Sequence, residues 1–195
     1  MILCNKILTV FNPIKMLPLI LLFFLSVKVL PQEMPVPASV QGELIPKILL
    51  LNKSFSDKKE INLGIVYNKY LRGSAETMNI ISEKVKSSDI DLKIHPIPIE
   101  ISELNDIKGT LNNYSLDAIY IAPLRGTNLR AIKSFCKENK IITLCGTPEL
   151  IADYFSIGFD IENNKVKIDI NIKTALEEGA DFSSHLLKIA RVINK

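Results

Sequence analysis

The last part of the chain decides the fold, because residues 158–192 read GFDIENNKVKIDINIKTALEEGADFSSHLLKIARV. Apolar and polar side chains alternate from Lys165 to Ile172, which predicts a strand with one buried face. Asn163 and Asn164 precede this run, and asparagine tolerates a positive φ. We therefore predict a tight antiparallel hairpin over residues 158–172.

A final helix is predicted after the hairpin. Apolar residues recur at helical spacing at Phe182, Leu186, Ala190 and Ile193. Ser183 or Ser184 is placed to cap the start of this helix. The C-terminal part of the chain therefore predicts structure, and it contains no evident catalytic group.

Upstream of residue 158, strand-like and helix-like segments alternate. Strands are predicted at 61–67, 92–101, 116–122 and 141–145, and helices at 40–55, 75–86, 104–111, 129–139 and 149–155. Repeated strand–helix–strand units predict an α/β fold, with a mostly parallel sheet flanked by helices and the C-terminal hairpin and helix added to it. Pro96 and Pro98 make the second strand an unlikely central strand.

Three of the helix starts have sequence signals of their own. Thr127 or Asn128 is placed to cap the helix at 129–139. Thr147 followed by Pro148 predicts a cap and a first helical residue. Pro46 lies inside the first predicted helix, so we expect that helix to start or to kink there.

The head of the chain predicts export. Residues 1–30 have no acidic side chain, and Lys15 precedes the apolar run from Leu17 to Val27. A membrane span needs about 20 apolar residues, so this run fits a signal peptide better than an anchor, although an uncleaved N-terminal anchor stays the alternative. The prolines in residues 31–38 predict an extended linker, and the α/β domain is expected at 39–195.

The charge balance argues against binding to nucleic acid. The whole chain has 24 basic and 21 acidic residues, for a net charge of +3. Lys6, Lys15 and Lys28 lie in the predicted leader and account for this excess. Without the leader the chain is neutral and shows no basic patch of the kind that binds phosphates.

Catalytic patterns are missing from the sequence. His95 and His185 are the only histidines, and His185 directly follows Ser184. Adjacent helical residues point about 100° apart, so this pair is poorly placed for a nucleophile and its base. The sequence also lacks the motifs of P-loop, zinc-protease and α/β-hydrolase enzymes. We expect no enzyme, no cofactor and no metal site.

Cys136 and Cys145 are the cysteines outside the predicted leader. Cys136 falls in a predicted helix and Cys145 at the end of the next predicted strand, so the geometry permits a disulfide without requiring one. Two buried free thiols are the alternative.

A small ligand of an open α/β sheet binds outside the carboxyl ends of the strands. Arg125 lies in one of these predicted loops, close to backbone amides that start a helix and favour anions. Arg125, Thr127 and Thr147 are therefore candidate anion ligands. The alternative is that Arg125 is an ordinary surface residue.

Several motifs, taken in order, resemble the YfiR-like family of exported α/β proteins. The match is strongest at Lys167–Asn171 followed by residues 179–192, and it is looser at residues 44–48, 64–67 and 116–121. Overall the resemblance covers about residues 40–192. It implies a periplasmic regulator that is not an enzyme and that binds the external domain of an inner-membrane signalling protein, such as a diguanylate cyclase or a sensor kinase.

The resemblance also leaves room for a homodimer, because several members of the family look like homodimers. This chain lacks the fuller cysteine set of the family's best-known repressor, which puts redox control in doubt. The alternative function is a periplasmic protein that binds a small anion or solute. In either case the chain meets the membrane only through its N-terminal segment, and only if that segment stays uncleaved.

Overall fold

The computed structural model describes residues 34–102, 106–125 and 127–193, and its helices pack on one central sheet. Its seven strands within these residues are β1 (Glu60–Tyr67), β2 (Lys93–Glu100), β3 (Ala118–Ile121), β4 (Ile142–Cys145), β5 (Ile157–Glu162), β6 (Lys165–Asn171) and β7 (Arg191–Ile193). Their order is β2-β1-β3-β4-β5-β6-β7. All neighbours pair in parallel except β5 and β6, which are antiparallel. The predicted fold class is confirmed.

Helices cover both faces of the sheet. They are α1 (Ala38–Leu50), α2 (Arg72–Lys86), α3 (Ile107–Asn112), α4 (Leu129–Asn139), α5 (Ile172–Glu177) and α6 (Ser184–Ile189). One core cluster joins the sheet to α1, α2 and α6, and a second joins the sheet to α3 and α4. We call these sides the α1 face and the α4 face. Strands β3 and β4 are buried along their whole length, as expected for strands covered on both sides.

The edge strand β2 confirms what its prolines predict. The backbone N–H groups of Lys93 and Ile101 donate to carbonyls of the β1 segment. The backbone N–H groups of the odd-numbered residues of β2 therefore point towards β1. The nitrogens of Pro96 and Pro98 point to the open side of the sheet edge, where no ladder hydrogen bond is lost. The missing donors also protect this edge against pairing with another strand.

The predicted hairpin is present. Asn163 and Asn164 have φ values of 51° and 59°, the positive values that a two-residue type I′ turn requires. Gly158 pairs with Asp169 in the hairpin register. A Cβ at Gly158 would come within 2.3 Å of the Ile151 side chain, so only glycine fits there.

The predicted final helix is wrong in its length. Ser183 Oγ accepts a hydrogen bond from Leu186 N, which confirms a serine cap. The helix ends at Ile189, because Ala190 is extended and the next residues form β7. Arg191 pairs with Asp169 on β6, so residues 191–193 form an additional strand. The sequence did not predict this strand, because Ile193 lies at helical spacing from Leu186 and Ala190. The separate helix α5 was also not predicted.

Two other helix predictions need correction. Helix α1 begins at Ala38, so the expected start at Pro46 is wrong. Pro148 begins a short 3₁₀ turn that ends at Leu150, where a helix over residues 149–155 was predicted, and Thr147 makes no side-chain capping bond. Asn128 is the cap of α4, because its side chain accepts from Ala131 N.

The N-terminal segment is packed where the structure describes it. The predicted leader lies outside the described residues, as do residues 31–33 of the predicted linker. Val36 is fully buried in the core, whereas Pro35 and Pro37 are exposed. The linker over residues 31–38 stays a prediction. No helix within residues 34–102, 106–125 and 127–193 is both long enough and apolar enough to cross a membrane.

Candidate functional site

The predicted anion ligands differ in their exposure. Arg125 is exposed, and Thr127 is half-buried with its hydroxyl donating to Arg125 O at 3.4 Å. Thr147 is buried, and its backbone N–H donates to Cys145 Sγ at 3.4 Å. The structure therefore leaves Arg125 open to solvent and turns Thr147 inward. An anion site at these residues stays a prediction.

The chain itself covers the carboxyl ends of β3 and β4. Gln41 is fully buried, donates from Nε2 to Val36 O at 2.7 Å and accepts from the Tyr120 hydroxyl at 2.7 Å. The Met34 sulfur lies 3.6 Å from the same hydroxyl. A Cβ at Gly146 would come within 2.5 Å of this sulfur, so glycine lets residue 34 pass over the strand end. Part of the usual ligand crevice is thus filled by residues 34–41.

Both cysteines of the described residues are buried free thiols, which is the alternative to the disulfide. Burial raises the pKa of the Cys145 thiol to about 12. Burial also raises the pKa of Cys136, and the nearby Glu178 carboxylate adds to the increase. Thiols that stay protonated are poor nucleophiles, so neither residue suits catalysis.

The two histidines do not form catalytic pairs with a serine or cysteine. His95 lies on the edge strand β2, where Nε2 is 3.0 Å from Glu60 Oε2. His185 is exposed on α6, while the neighbouring Ser183 serves as the helix cap. Within the described part of the chain, no group of three or more His, Cys, Asp or Glu residues could hold a metal ion.

The most unusual polar site is a buried cluster of Thr143, Ser156 and Glu178. Glu178 is the residue directly after α5, and it is fully buried. Its carboxylate accepts from Thr143 N at 2.9 Å, from the Thr143 hydroxyl at 2.8 Å and from the Ser156 hydroxyl. The Ser156 backbone N–H donates in turn to Thr143 Oγ1 at 2.9 Å.

The carboxyl group of this cluster is tuned towards neutral pH. Burial raises the pKa of Glu178 from its ordinary value of 4.5 to about 7, although the hydrogen bonds from Ser156 and Thr143 oppose the increase. Its hydrogen-bond donors, Thr143 and Ser156, are neutral groups. The sequence analysis missed this residue, because Glu177-Glu178 reads as an ordinary polar helix end.

A second buried carboxylate, Asp169 on β6, has a cationic partner. Arg191 on β7 binds it through two hydrogen bonds, from Nε at 2.8 Å and from Nη2 at 2.6 Å. Arg191 also donates to Asp160 on β5 at 2.6 Å. These carboxylates raise the pKa of the Arg191 guanidinium further above its ordinary value. One arginine therefore joins the three C-terminal strands on the α4 face.

Exposed apolar side chains collect on the opposite side of these strands. Among the described residues, four of the nine exposed large hydrophobic side chains lie here, namely Ile161, Val166, Ile189 and Val192. Ile161 and Val166 are direct cross-strand neighbours, and Val192 pairs with the buried Ile170 of β6. We call these four residues the C-terminal apolar face.

The short helix α6 explains why this face is uncovered. Leu186 packs into the core from α6, which has six residues and extends about 9 Å. The seven residues of β6 extend about 23 Å. The burial follows this difference in length, since Ile170 is buried in the core while Ile161 and Val166, next to the turn, stay exposed. An apolar surface of this kind is typical of protein–protein contact sites.

Comparison with known proteins agrees with the fold. No curated protein matches the chain. A family model described as YfiR/HmsC-like matches residues 51–191, which include β1 to β6, the first residue of β7 and the helices α2 to α6. Members of this family are known as periplasmic regulators without catalytic activity. From this match, the chain belongs to the YfiR/HmsC-like family.

Proposed function

We propose that this protein is a non-enzymatic periplasmic regulator that binds the external domain of an inner-membrane signalling protein, such as a diguanylate cyclase or a sensor kinase. The partner is a protein on this proposal, and the contact surface is the C-terminal apolar face.

The observation that carries the proposal is the composition of that face. Ile161, Val166 and Val192 are 43%, 40% and 40% exposed, and Ile189 is 52% exposed. Burying such side chains against a partner stabilises a complex by about 25 cal/mol for each Å² of apolar surface removed from water. The Arg191 network on the other side of the same strands holds this surface in place.

The polar groups of the molecule support the same function. Glu178, Asp169, Cys136 and Cys145 are buried and occupied by structural contacts. These groups therefore serve the fold, and a function in surface binding agrees with their burial better than catalysis does.

The test is a crosslinking pull-down of the full-length chain with inner membranes, followed by identification of the recovered proteins. We expect the wild-type chain to recover a signalling protein that has an external domain. The double variant Ile161→Asp/Val166→Asp should lower this recovery on the order of tenfold or more, because it places two charges in the contact.

The matched control is Ile80→Asp, which changes an exposed apolar residue on α2, away from the C-terminal strands. It should leave the recovery unchanged. The proposal fails if the wild-type chain recovers no signalling protein, or if both charged variants bind as well as wild type.

A further inference from the structure

The Thr143–Ser156–Glu178 cluster fills a gap in the sheet. Strand β5 begins at Ile157, and its pairing with β4 is limited to Leu144 and Cys145. The N–H of Ile142 donates to the β3 side, so the N–H of Thr143 points to the side where β5 is missing. The Glu178 carboxylate accepts that N–H and so takes the place of a strand carbonyl.

The hydroxyl groups of the cluster can hydrogen-bond the carboxyl group in either protonation state, so the two states differ chiefly in the cost of burying the charge. As an acceptor, Glu178 meets Thr143 N–H and two hydroxyl groups. A hydroxyl group can also accept, so a protonated Glu178 can donate to Ser156 Oγ after that hydroxyl rotates. Burial without a cation favours the protonated form, because an ionised carboxylate loses its hydration.

Few other charges face this site. From α4, the Cys136 thiol lies nearby, and the Lys133 ammonium group weakly favours ionised Glu178 while donating to Asp153 O at 2.7 Å. Glu177, the next residue along α5, lies outside the cluster and pairs with Lys137 at 3.1 Å. Among the described residues, the Glu178 carboxyl group therefore has no hydrogen bond from a cation that would stabilise its ionised form.

The cluster ties down the segments that carry the C-terminal apolar face. Ser156 directly precedes β5, and its carbonyl accepts from Asn171 N at the end of β6 at 2.8 Å. Glu178 directly follows α5, which continues from β6. Loosening the cluster would thus remove the links from Ser156 and Glu178 to β4 and leave the Leu144 and Cys145 pairs to hold the hairpin.

We propose that the Thr143–Ser156–Glu178 cluster is a proton-operated clasp, which holds the hairpin and α5 on the sheet when Glu178 is protonated and loosens them when Glu178 is ionised. The periplasmic regulator proposed above would then present its contact surface in a pH-dependent way. That regulatory role rests on the proposed function, whereas the clasp itself is a property of the isolated chain.

The experiment is hydrogen exchange of individual amides in the full-length chain at pH 6 and pH 8, followed by NMR and corrected for intrinsic exchange rates. The Thr143 and Ser156 amides should open about tenfold more often at pH 8, as expected for a carboxyl group whose pKa rises from 4.5 to about 7 on folding. Amides of Leu63 and Ile65 on β1 should change much less.

Two variants make the result specific. Glu178→Gln removes the titrating group and should abolish the pH dependence at Thr143 and Ser156. Glu177→Gln changes the half-buried neighbour, which lies outside the cluster, and should keep the pH dependence of wild type. The clasp is refuted if the wild-type amides open equally at both pH values, or if Glu178→Gln keeps the dependence.

A direct titration covers the case in which Glu178→Gln does not fold. The carboxyl carbon of Glu178 can be followed by NMR in the wild-type chain between pH 4 and pH 8. A midpoint near neutral pH supports the clasp, and a midpoint below about pH 5 overturns it. Neither measurement needs a partner, so failure of the partner assay and failure of the clasp are distinguishable.

Discussion

Two buried carboxylates near the C-terminus are held in opposite ways. Asp169 has 2% of its side chain exposed and is bound by the Arg191 guanidinium. Glu178 is fully buried and is bound by neutral donors of Thr143 and Ser156. Equally buried carboxylates therefore differ in their partners, because Asp169 lies beside a cation, whereas Glu178 has only neutral donors and burial raises its pKa.

The largest expected effect is the loss of the Glu178 side chain. Glu178→Ala leaves the buried Thr143 N–H without a partner and opens a void, so we expect the free energy of unfolding to fall on the order of 4 kcal/mol at pH 5. Urea unfolding measures this change. Glu177→Ala, at a half-buried position outside the cluster, should change stability much less, and equal losses in the two variants would refute the structural role of Glu178.

The second effect is the pH dependence of global stability. The folded-state pKa of Glu178 is raised from 4.5 to about 7. Its contribution to stability is therefore fully present below pH 4.5 and is lost as the pH rises through 7. At about 1.4 kcal/mol for each pKa unit, the loss approaches about 3 kcal/mol at pH 8.

Urea titrations of wild type and Glu178→Gln between pH 5 and pH 8 would check this loss. The slope should flatten in the variant, since glutamine does not titrate. An identical slope in both proteins would assign the pH dependence to other groups.

The third effect concerns the paired carboxylate. Arg191→Met leaves Asp169 buried without its cation, and we expect a loss of about 2 kcal/mol, reduced because the Arg191 side chain is 41% exposed. Adding Asp169→Asn removes the unpaired charge and should recover part of the stability. No recovery in the double variant would mean that Arg191 acts through packing alone.

The smallest effect is expected at the rim of the same network. Glu162 lies 3.6 Å from Arg191 Nη1, and both side chains are partly exposed. Glu162→Ala should therefore change the free energy of unfolding by less than about 0.5 kcal/mol. A loss as large as that of Arg191→Met would show that Glu162 is an equal member of the network.

Local signals were sufficient where neighbouring residues decide the structure. Asn163-Asn164 and the alternation that follows predicted the hairpin, and Pro96 and Pro98 predicted the sheet edge. The order of strands and helices predicted a parallel α/β sheet. Each of these features depends on backbone preferences or on periodicity within a few residues.

The sites that distinguish this molecule depended on contacts between distant parts of the chain. Glu178 meets Thr143 at a separation of 35 residues, and Arg191 meets Asp169 at a separation of 22. In the sequence both charged residues resemble ordinary surface residues, and Arg191 falls in a helical pattern.

The sequence by itself thus determined the fold class, the hairpin and the family resemblance. Only the tertiary structure decided which carboxylate is paired, which cysteines are buried and which apolar side chains remain exposed. The physical reason is that burial and pairing are set by which elements pack together, and local spacing along the chain does not encode that choice.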